Sequence, residues 1–262
     1  MTASTLLAPR AGAAAGCDTN DAATSIRTSG GNCFSFHASP GSASGGPLIV
    51  FMHGDGGGSV SAAYWTVLTQ QADALAAATS ARFVVLVRPG YASPGGRSSG
   101  SAKSGDDDYT PANVKLAAEA IAALKNRFQA SRTVVGGTSG GAATAALVMG
   151  RHAGTADAAW LNACPCQVQP WRAWREQSAG RRTPWTASLS PDENLSGVAI
   201  GARIVVIAGD KDSNTPPRFS QAYVDAARTR GVDAHLVMAP GATHGRVWRS
   251  AEAAAALRGL LR

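Results

Sequence analysis

A serine within a glycine-rich turn carries the most specific chemical signal in this sequence. Ser139 is the centre of Gly137-Thr-Ser-Gly-Gly141, which has the Gly-x-Ser-x-Gly pattern. A valine-rich segment precedes the motif and an alanine-rich segment follows it, so the hydroxyl is expected on a sharp turn between a strand and a helix. A serine in this position becomes a nucleophile toward a carbonyl carbon when a base removes its proton. The pattern therefore predicts acyl-transfer chemistry at Ser139.

The base that this chemistry needs is predicted to be His244. Among the five histidines of the chain, His244 follows the last apolar segment and lies in a loop between Gly241 and Gly245. It also satisfies the order serine, acid, histidine, which is the order of the catalytic residues when the serine occupies this kind of turn. His53 closes the first buried strand and is predicted to be part of the loop scaffold.

Two aspartates compete for the role of the acid that orients this histidine. Asp210 and Asp212 both follow the apolar segment 203–208, at the sheet edge where the serine turn is expected. Asp210 is closer to the strand and is placed to cap the turn. This favours Asp212, while Asp210 remains the alternative.

The oxyanion of an acyl-transfer reaction needs backbone N–H donors, and two loops can supply them. Gly140 directly follows the nucleophile. The second donor is predicted in the glycine-rich loop 53–58, from Asp55 or Gly56. This loop has Ser59 where a dinucleotide-binding fingerprint requires its last glycine, so no nucleotide cofactor is predicted.

The elements that must position these residues alternate between short apolar runs and helical segments. This alternation predicts a mostly parallel sheet with helices on both faces. Strands are expected at 33–37, 47–52, 83–87, 133–136, 158–161, 203–208 and 234–238, and helices at 61–79, 111–128, 140–149 and 251–261. Thr110 and Pro111 form an N-cap followed by proline at the first helical position.

Residues 162–198 interrupt this alternation and are predicted to form an insertion over the active-site edge of the sheet. The segment is rich in proline, tryptophan and arginine. Trp171, Trp174 and Trp185, together with Thr138 beside the serine, are candidates for lining an apolar substrate pocket. The alternative is that the tryptophans only pack the insertion onto the sheet.

Composition excludes several other classes of function. The 262-residue chain carries a net charge of +7, but its arginines are scattered, so nucleic-acid binding is not expected. It contains no run of about 18 apolar residues, and no membrane span is predicted. The sequence leaves the oligomeric state open.

The four cysteines suit an exported protein with disulfides. Cys17 and Cys33 bracket a polar loop, and Cys164 and Cys166 can pair with each other or with distant partners. The one-residue spacing is too short for a zinc knuckle, so no metal is predicted. A secreted or periplasmic protein is expected, with residues 1–30 as a loop or signal remnant and residues 31–262 as one domain.

Taken together, the chain resembles the α/β-hydrolase superfamily, specifically its esterase and prolyl-oligopeptidase-like branch. The motifs that carry the resemblance are His53-Gly54, 88–91 (Arg-Pro-Gly-Tyr), 137–141, 209–212 and 241–244, and the match covers residues 33–262. In the Gly-x-x-Asp pattern of this family the catalytic position falls on Asp212.

The resemblance implies a carboxylesterase-like hydrolase that acts on a small ester through an acyl-enzyme and needs no cofactor. A small serine peptidase is the second hypothesis, and a non-catalytic binding protein on a hydrolase scaffold is the third. The serine nucleophile argues against dehalogenases, which use a carboxylate.

Overall fold

The computed structural model describes Cys17 and residues 21–40, 44–102, 105–180 and 185–262. Its centre is an eight-stranded sheet in the order β1-β2-β4-β3-β7-β8-β9-β10, beside which β5 and β6 form a small hairpin. The strands are β1 Ser25–Arg27, β2 Cys33–Ala38, β3 Leu48–Met52, β4 Arg82–Leu86, β5 Ala92–Ser93, β6 Gly96–Arg97, β7 Thr133–Thr138, β8 Ala158–Asn162, β9 Arg203–Gly209 and β10 Asp233–Ala239.

Six strands of this sheet, in the order β4-β3-β7-β8-β9-β10, pair in parallel, and β1 and β2 join the sheet through antiparallel pairs. The carboxyl ends of the parallel strands therefore meet at one edge of the sheet. This confirms the predicted sheet, and every predicted strand lies within two residues of its observed bounds.

Helices cover both faces of this sheet. The α-helices are α1 Ala62–Thr79, α2 Pro111–Phe128, α3 Gly140–Arg151, α4 Val168–Ala179, α5 Pro217–Thr229 and α6 Ala251–Leu260. Two 3₁₀ helices, Pro191–Gly197 and Val247–Arg249, complete the elements. The Thr110 side chain caps α2 by accepting the N–H of Asn113, and Ser250 caps α6 by accepting the N–H of Ala253, as residues of this type do at helix starts.

The two layers of helices create two hydrophobic cores. One face of the sheet packs against α2, α3 and α5, with Ile121, Leu147 and Tyr223 fully buried. The other face packs against α1 and α6 around Phe51 and Trp160. Because each large apolar side chain that is removed from water contributes roughly 1.5–3 kcal/mol, these cores hold the sheet and its loops in place.

Three features differ from the sequence prediction. Residues 25–27, expected within an N-terminal loop, form β1 because their backbone pairs with β2; residues 1–16 and 18–20 lie outside the described residues. Helix α5 was not predicted, although parallel strands such as β9 and β10 need a crossover connection, which is usually helical.

The segment 162–198 is the third difference. Its first residue completes β8, and α4 then contributes to the active-site edge. Its last part, the 3₁₀ helix Pro191–Gly197, instead packs against α3. Gly197 lies so close to the Gly150 carbonyl that a Cβ at Gly197 would collide with it. The expected insertion is thus divided between two locations.

All four cysteines form disulfides. Cys17 pairs with Cys33, and Cys164 pairs with Cys166. Within the described part of the chain, no helix is both long and apolar enough to cross a bilayer. The same residues include no group of three or more His, Cys, Asp or Glu side chains arranged to hold a metal ion.

Candidate active site

Ser139 lies at the turn between β7 and α3 with φ 53° and ψ −123°. This is a conformation that costs a non-glycine residue about 1–3 kcal/mol, so the surrounding structure must hold it in place. The Ser139 N–H donates to the Asn162 carbonyl at the end of β8 (2.9 Å). Helix α3 begins at the next residue, so its positive end adjoins the hydroxyl.

The glycines of the motif allow this turn to form. A Cβ on Gly137 would lie 2.3 Å from the carbonyl carbon of Gly141, and a Cβ on Gly141 would lie 2.1 Å from the Met52 carbonyl oxygen. Helix α3 can therefore approach β3 and β7 only if both positions lack a side chain. This close packing presents Ser139 at the edge of the sheet.

His244 contacts Asp212 at the same edge. Its Nδ1 atom lies 2.9 Å from Oδ2 of Asp212. The Asp212 side chain has no exposed surface, whereas the imidazole is 26% exposed. A carboxylate at Nδ1 favours the tautomer that carries its proton there, which leaves Nε2 as the acceptor.

Three donors from the loop after β9 hold the Asp212 carboxylate. The N–H groups of Asn214 and Thr215 donate to Oδ1, each at 2.8 Å, and the Thr215 hydroxyl donates to Oδ2 at 2.8 Å. Burial by itself raises the pKa of Asp212, but the hydrogen bond and charge of His244 and the bonds from Thr215 lower it below the usual 3.8. The carboxylate is therefore ionised at neutral pH.

Asp210, the alternative acid, occupies a different position. Its side chain accepts the Gly241 N–H at 2.6 Å, and the residue is exposed. This matches the turn-capping role considered for it from the sequence.

A cavity of about 550 Å³ contains both Ser139 and His244 in its lining. Its wall combines glycine backbone, aromatic rings and charged side chains. The other lining residues are Gly54, Asp55, Tyr64, Gly105, Asp106, Thr138, Trp171, Arg172, Arg175, Trp185, Asn214, Gly245 and Trp248. The predicted nucleophile and base thus face a space large enough for a small substrate.

The predicted oxyanion residues fall into two groups. Gly140 directly follows Ser139 and lies against Asp55, because a Cβ on Gly140 would collide with the Asp55 carboxylate. Asp55 itself lines the cavity. Gly56 turns instead toward the backbone of Ser59, whose carbonyl oxygen would lie 2.5 Å from a Cβ at Gly56. Gly54 also lies against the nucleophile, because a Cβ on Gly54 would be 3.3 Å from the Ser139 Cβ.

A buried ionic network supports the loop that carries Asp55. The Arg88 guanidinium donates to Asp55 (2.6 Å) and to Asp108 (2.8 Å), and the Tyr109 hydroxyl donates to the other Asp55 oxygen (2.6 Å). Burial raises the pKa of both carboxyls, to about 6 for Asp108, while the charge of Arg88 opposes the rise. The network fixes the Asp55 side chain against Gly140.

His53 belongs to this scaffold, as the sequence predicted. Its Nε2 accepts the Arg88 backbone N–H at 3.1 Å, so its Nδ1 carries the proton and donates to the Gly54 carbonyl at 2.8 Å. Burial, together with the charge of Arg88, lowers the pKa of His53 to about 3. The neutral ring therefore ties the loop after β3 to the end of β4.

The four predicted pocket residues divide three to one. Thr138, Trp171 and Trp185 line the cavity. Trp174 does not: its ring packs against Phe219 with centroids 5.8 Å apart, which places it between α4 and α5. The prediction for Trp174 was wrong because the packing of α4 turns Trp171 toward the cavity and Trp174 toward Phe219 of α5.

Sequence reasoning missed several cavity residues. Tyr64 extends from the first turn of α1, and Arg172 and Arg175 extend from α4. Trp248, in the short 3₁₀ helix after His244, closes another side. The only sequence signal for the arginines was their interleaving with Trp171 and Trp174, at a spacing that repeats on a helix.

Comparison with known proteins gives one family match. The model of the prolyl oligopeptidase family matches residues 97–260, a range that includes Ser139, Asp212 and His244. No curated protein matches the sequence.

Solved structures with the same fold include esterases and a peptidase. An esterase from Pyrococcus furiosus superposes with a TM-score of 0.69 at 12% identity and covers 90% of this chain and 88% of its own. A thermophilic esterase from Thermogutta terrifontis has a TM-score of 0.58 at 18% identity and covers 86% of each chain.

The acylaminoacyl peptidase of Pyrococcus horikoshii has a TM-score of 0.60 at 14% identity. The alignment covers 90% of this chain but only 38% of the peptidase. At these identities the similarities establish the fold, which is the predicted α/β-hydrolase fold.

Proposed function

Because the chain belongs to the prolyl oligopeptidase family, we propose that it is a serine hydrolase that cleaves carboxylic esters through an acyl-enzyme at Ser139. One observation carries the proposal. Ser139, on its strained turn, lines the same cavity as His244, and Nδ1 of His244 contacts the buried carboxylate of Asp212. This is the arrangement of nucleophile, base and orienting acid that acyl transfer requires.

In the proposed reaction, Ser139 Oγ attacks the ester carbonyl while His244 accepts the hydroxyl proton at Nε2. Asp212 stabilises the resulting imidazolium through Nδ1. When the tetrahedral intermediate collapses, Nε2 returns the proton to the leaving alcohol, and the acyl group remains on Ser139. A water molecule then gives a proton to Nε2 as it attacks the acyl carbon, and when this second intermediate collapses Nε2 returns the proton to Ser139 Oγ, which releases the acid and restores both residues.

The oxyanion formed in each step is assigned to backbone donors. We propose the N–H of Gly140, at the first position of α3, and the N–H of Asp55, on the loop that lines the cavity. A preorganised donor of this kind lowers the barrier by roughly 3–4 kcal/mol. The Arg88 network supports this role because it holds Asp55 against Gly140.

The experiment compares Ser139→Ala with the exposed Ser213→Ala in hydrolysis of p-nitrophenyl acetate and in labelling by a fluorophosphonate. Ser139→Ala should lose at least about 10³-fold in kcat and all labelling. Ser213→Ala, from the loop that also carries Asp212, should retain both. Full activity or labelling of Ser139→Ala would exclude Ser139 as the nucleophile.

Peptide hydrolysis is the second candidate, and the family match favours it directly. The same three side chains can cleave an amide, but the leaving amine then needs protonation by His244 before it departs. Parallel assays with an acetyl-amino-acid p-nitroanilide and the matching p-nitrophenyl ester separate the two. Comparable kcat/KM values on both would identify a peptidase, whereas an ester-only enzyme would leave the anilide intact.

We further propose that the protein works in an oxidising compartment. Two disulfides, including the Cys17–Cys33 pair that ties Cys17 to the edge of the sheet, are typical of secreted and periplasmic proteins. Fractionation of the cells that produce it, with a thiol-alkylation assay for free cysteines, tests the location.

A further inference from the structure

Two arginines from one helix line the candidate active site. Arg172 and Arg175 are three residues apart on α4, a spacing that places them on neighbouring positions of one helix face. Both line the cavity that contains Ser139 and His244. The part of the cavity wall that α4 forms therefore carries two positive charges.

Aromatic and amide contacts hold these guanidinium groups at the wall. Arg172 stacks 4.5 Å from the centre of the Trp185 ring, and Arg175 lies 5.4 Å from the centre of the Trp171 ring. Arg175 also donates to the side chain of Asn214, which belongs to the loop that carries Asp212. Stacked arginines have restricted rotamers, so less side-chain entropy is lost when they bind a ligand.

Two acidic residues, Asp55 and Asp106, line the same cavity and make hydrogen bonds of their own. Asp55 is bound by Arg88 and Tyr109, and Asp106 accepts the Gly57 N–H at 2.8 Å. Burial and the nearby charge of Arg175 lower the pKa of Arg172, while Tyr109, Asp107 and Asp106 oppose this effect. An anion between the two guanidiniums would relieve this repulsion.

We propose that the cavity selects substrates that carry a carboxylate, which Arg172 and Arg175 bind while the scissile carbonyl lies at Ser139. The inference rests on the proposed function and specifies its substrate class. Guanidinium groups match carboxylates because their N–H donors can form paired, charge-assisted hydrogen bonds. The rings of Trp171 and Trp185, over which the arginines lie, also line the cavity and suit an aryl or alkyl segment that joins the carboxylate to the ester.

The carboxylate can belong to either product of the cleavage, and two pairs of substrates distinguish these sources. For the acyl side, the mono-p-nitrophenyl ester of adipic acid is compared with p-nitrophenyl hexanoate. For the leaving group, 4-acetoxybenzoate is compared with methyl 4-acetoxybenzoate. In each pair, the ratio of kcat/KM for the charged ester to that for the neutral ester is the measured quantity, after subtraction of spontaneous hydrolysis.

We expect this ratio to be about ten in at least one pair of substrates for the unmodified protein. In Arg172→Gln and in Arg175→Gln the ratio for that pair should fall about tenfold. Arg172→Lys should recover part of the ratio because it keeps the charge. The matched control is Arg218→Gln, since Arg218 stacks 4.9 Å from the Trp174 ring outside the cavity; its ratio should equal that of the unmodified protein.

The result is separable from the proposed function. Labelling of Ser139 by a neutral fluorophosphonate reports the nucleophile regardless of substrate charge. A labelled enzyme with ratios of one or less in both pairs, or with ratios that Arg172→Gln and Arg175→Gln leave unchanged, would overturn the carboxylate site alone. Absence of labelling together with absence of ester hydrolysis would overturn the proposed function.

Discussion

The Nδ1 atom of His244 lies 2.9 Å from Oδ2 of Asp212, and this contact joins two loops that are 32 residues apart in the chain. The Thr215 hydroxyl lies 3.2 Å from the same Nδ1, donates to Asp212 at 2.8 Å and lies 3.1 Å from the Ala163 carbonyl oxygen. The loops after β8, β9 and β10 therefore converge on one imidazole. Its orientation depends on all three loops.

The first prediction separates Asp212 from Asp210. Asp212→Asn should reduce kcat about 10³- to 10⁴-fold, because an amide no longer stabilises the imidazolium or selects the tautomer protonated at Nδ1. Asp210→Asn is the matched control, and it should lose less than about tenfold since Asp210 only accepts the Gly241 N–H. Steady-state kinetics on an aryl ester measures both variants, and a reversed order of losses would assign the acid to Asp210.

The second prediction concerns the buried Arg88. Arg88→Met should lower the free energy of unfolding at pH 7 by about 3–5 kcal/mol, since it leaves Asp55 and Asp108 without their counterion. Without this charge, which lowers the pKa of both carboxyls, their folded-state values rise further above 3.8.

The sign of the pH dependence follows from that rise. A carboxyl with a raised folded-state pKa is ionised more readily in the unfolded chain, so the loss of stability grows as pH rises above about 4 and shrinks in acid. Urea unfolding of Arg88→Met at pH 4 and pH 7 measures it. The exposed Arg246→Met is the control, and an equal loss at both pH values for Arg88→Met would contradict the account.

The third prediction tests the packing beneath the nucleophile. Gly141→Ala should destabilise the fold by about 3 kcal/mol and abolish ester hydrolysis, because the new methyl group would lie 2.1 Å from the Met52 carbonyl oxygen. Gly259→Ala, in α6, has nothing within 4 Å of its added methyl group. It should stabilise the protein by roughly 0.5–1 kcal/mol. Thermal unfolding ranks the two variants, and tolerance of alanine at Gly141 would show that α3 can move.

The fourth prediction addresses the Cys17–Cys33 disulfide. Its removal in a Cys17→Ser/Cys33→Ser variant should cost about 3 kcal/mol, since the bond closes a loop with a sequence separation of 16. Ester hydrolysis at 25 °C should persist, because β1 and β2 lie at the far edge of the sheet from β9 and β10. Loss of activity with stability unchanged would contradict this separation of roles.

The sequence by itself determined the order of the elements and the identity of the candidate triad. Alternation of apolar runs with helical segments predicted the parallel sheet, and parallel strands place their carboxyl ends at one edge. Ser139, Asp212 and His244 could be chosen because each follows a strand in the expected order. These inferences depend only on local patterns and chain order.

Tertiary structure decided which side chains face the substrate. Trp171 and Trp174 have similar sequence surroundings, yet one lines the cavity and the other packs on Phe219. Likewise, Arg88 reaches Asp55 across 33 residues, and Arg172 on α4 stacks on Trp185, which lies beyond the end of that helix. Such contacts depend on the rotation of each helix against the sheet, which is set by packing over the whole core and by no single segment of sequence.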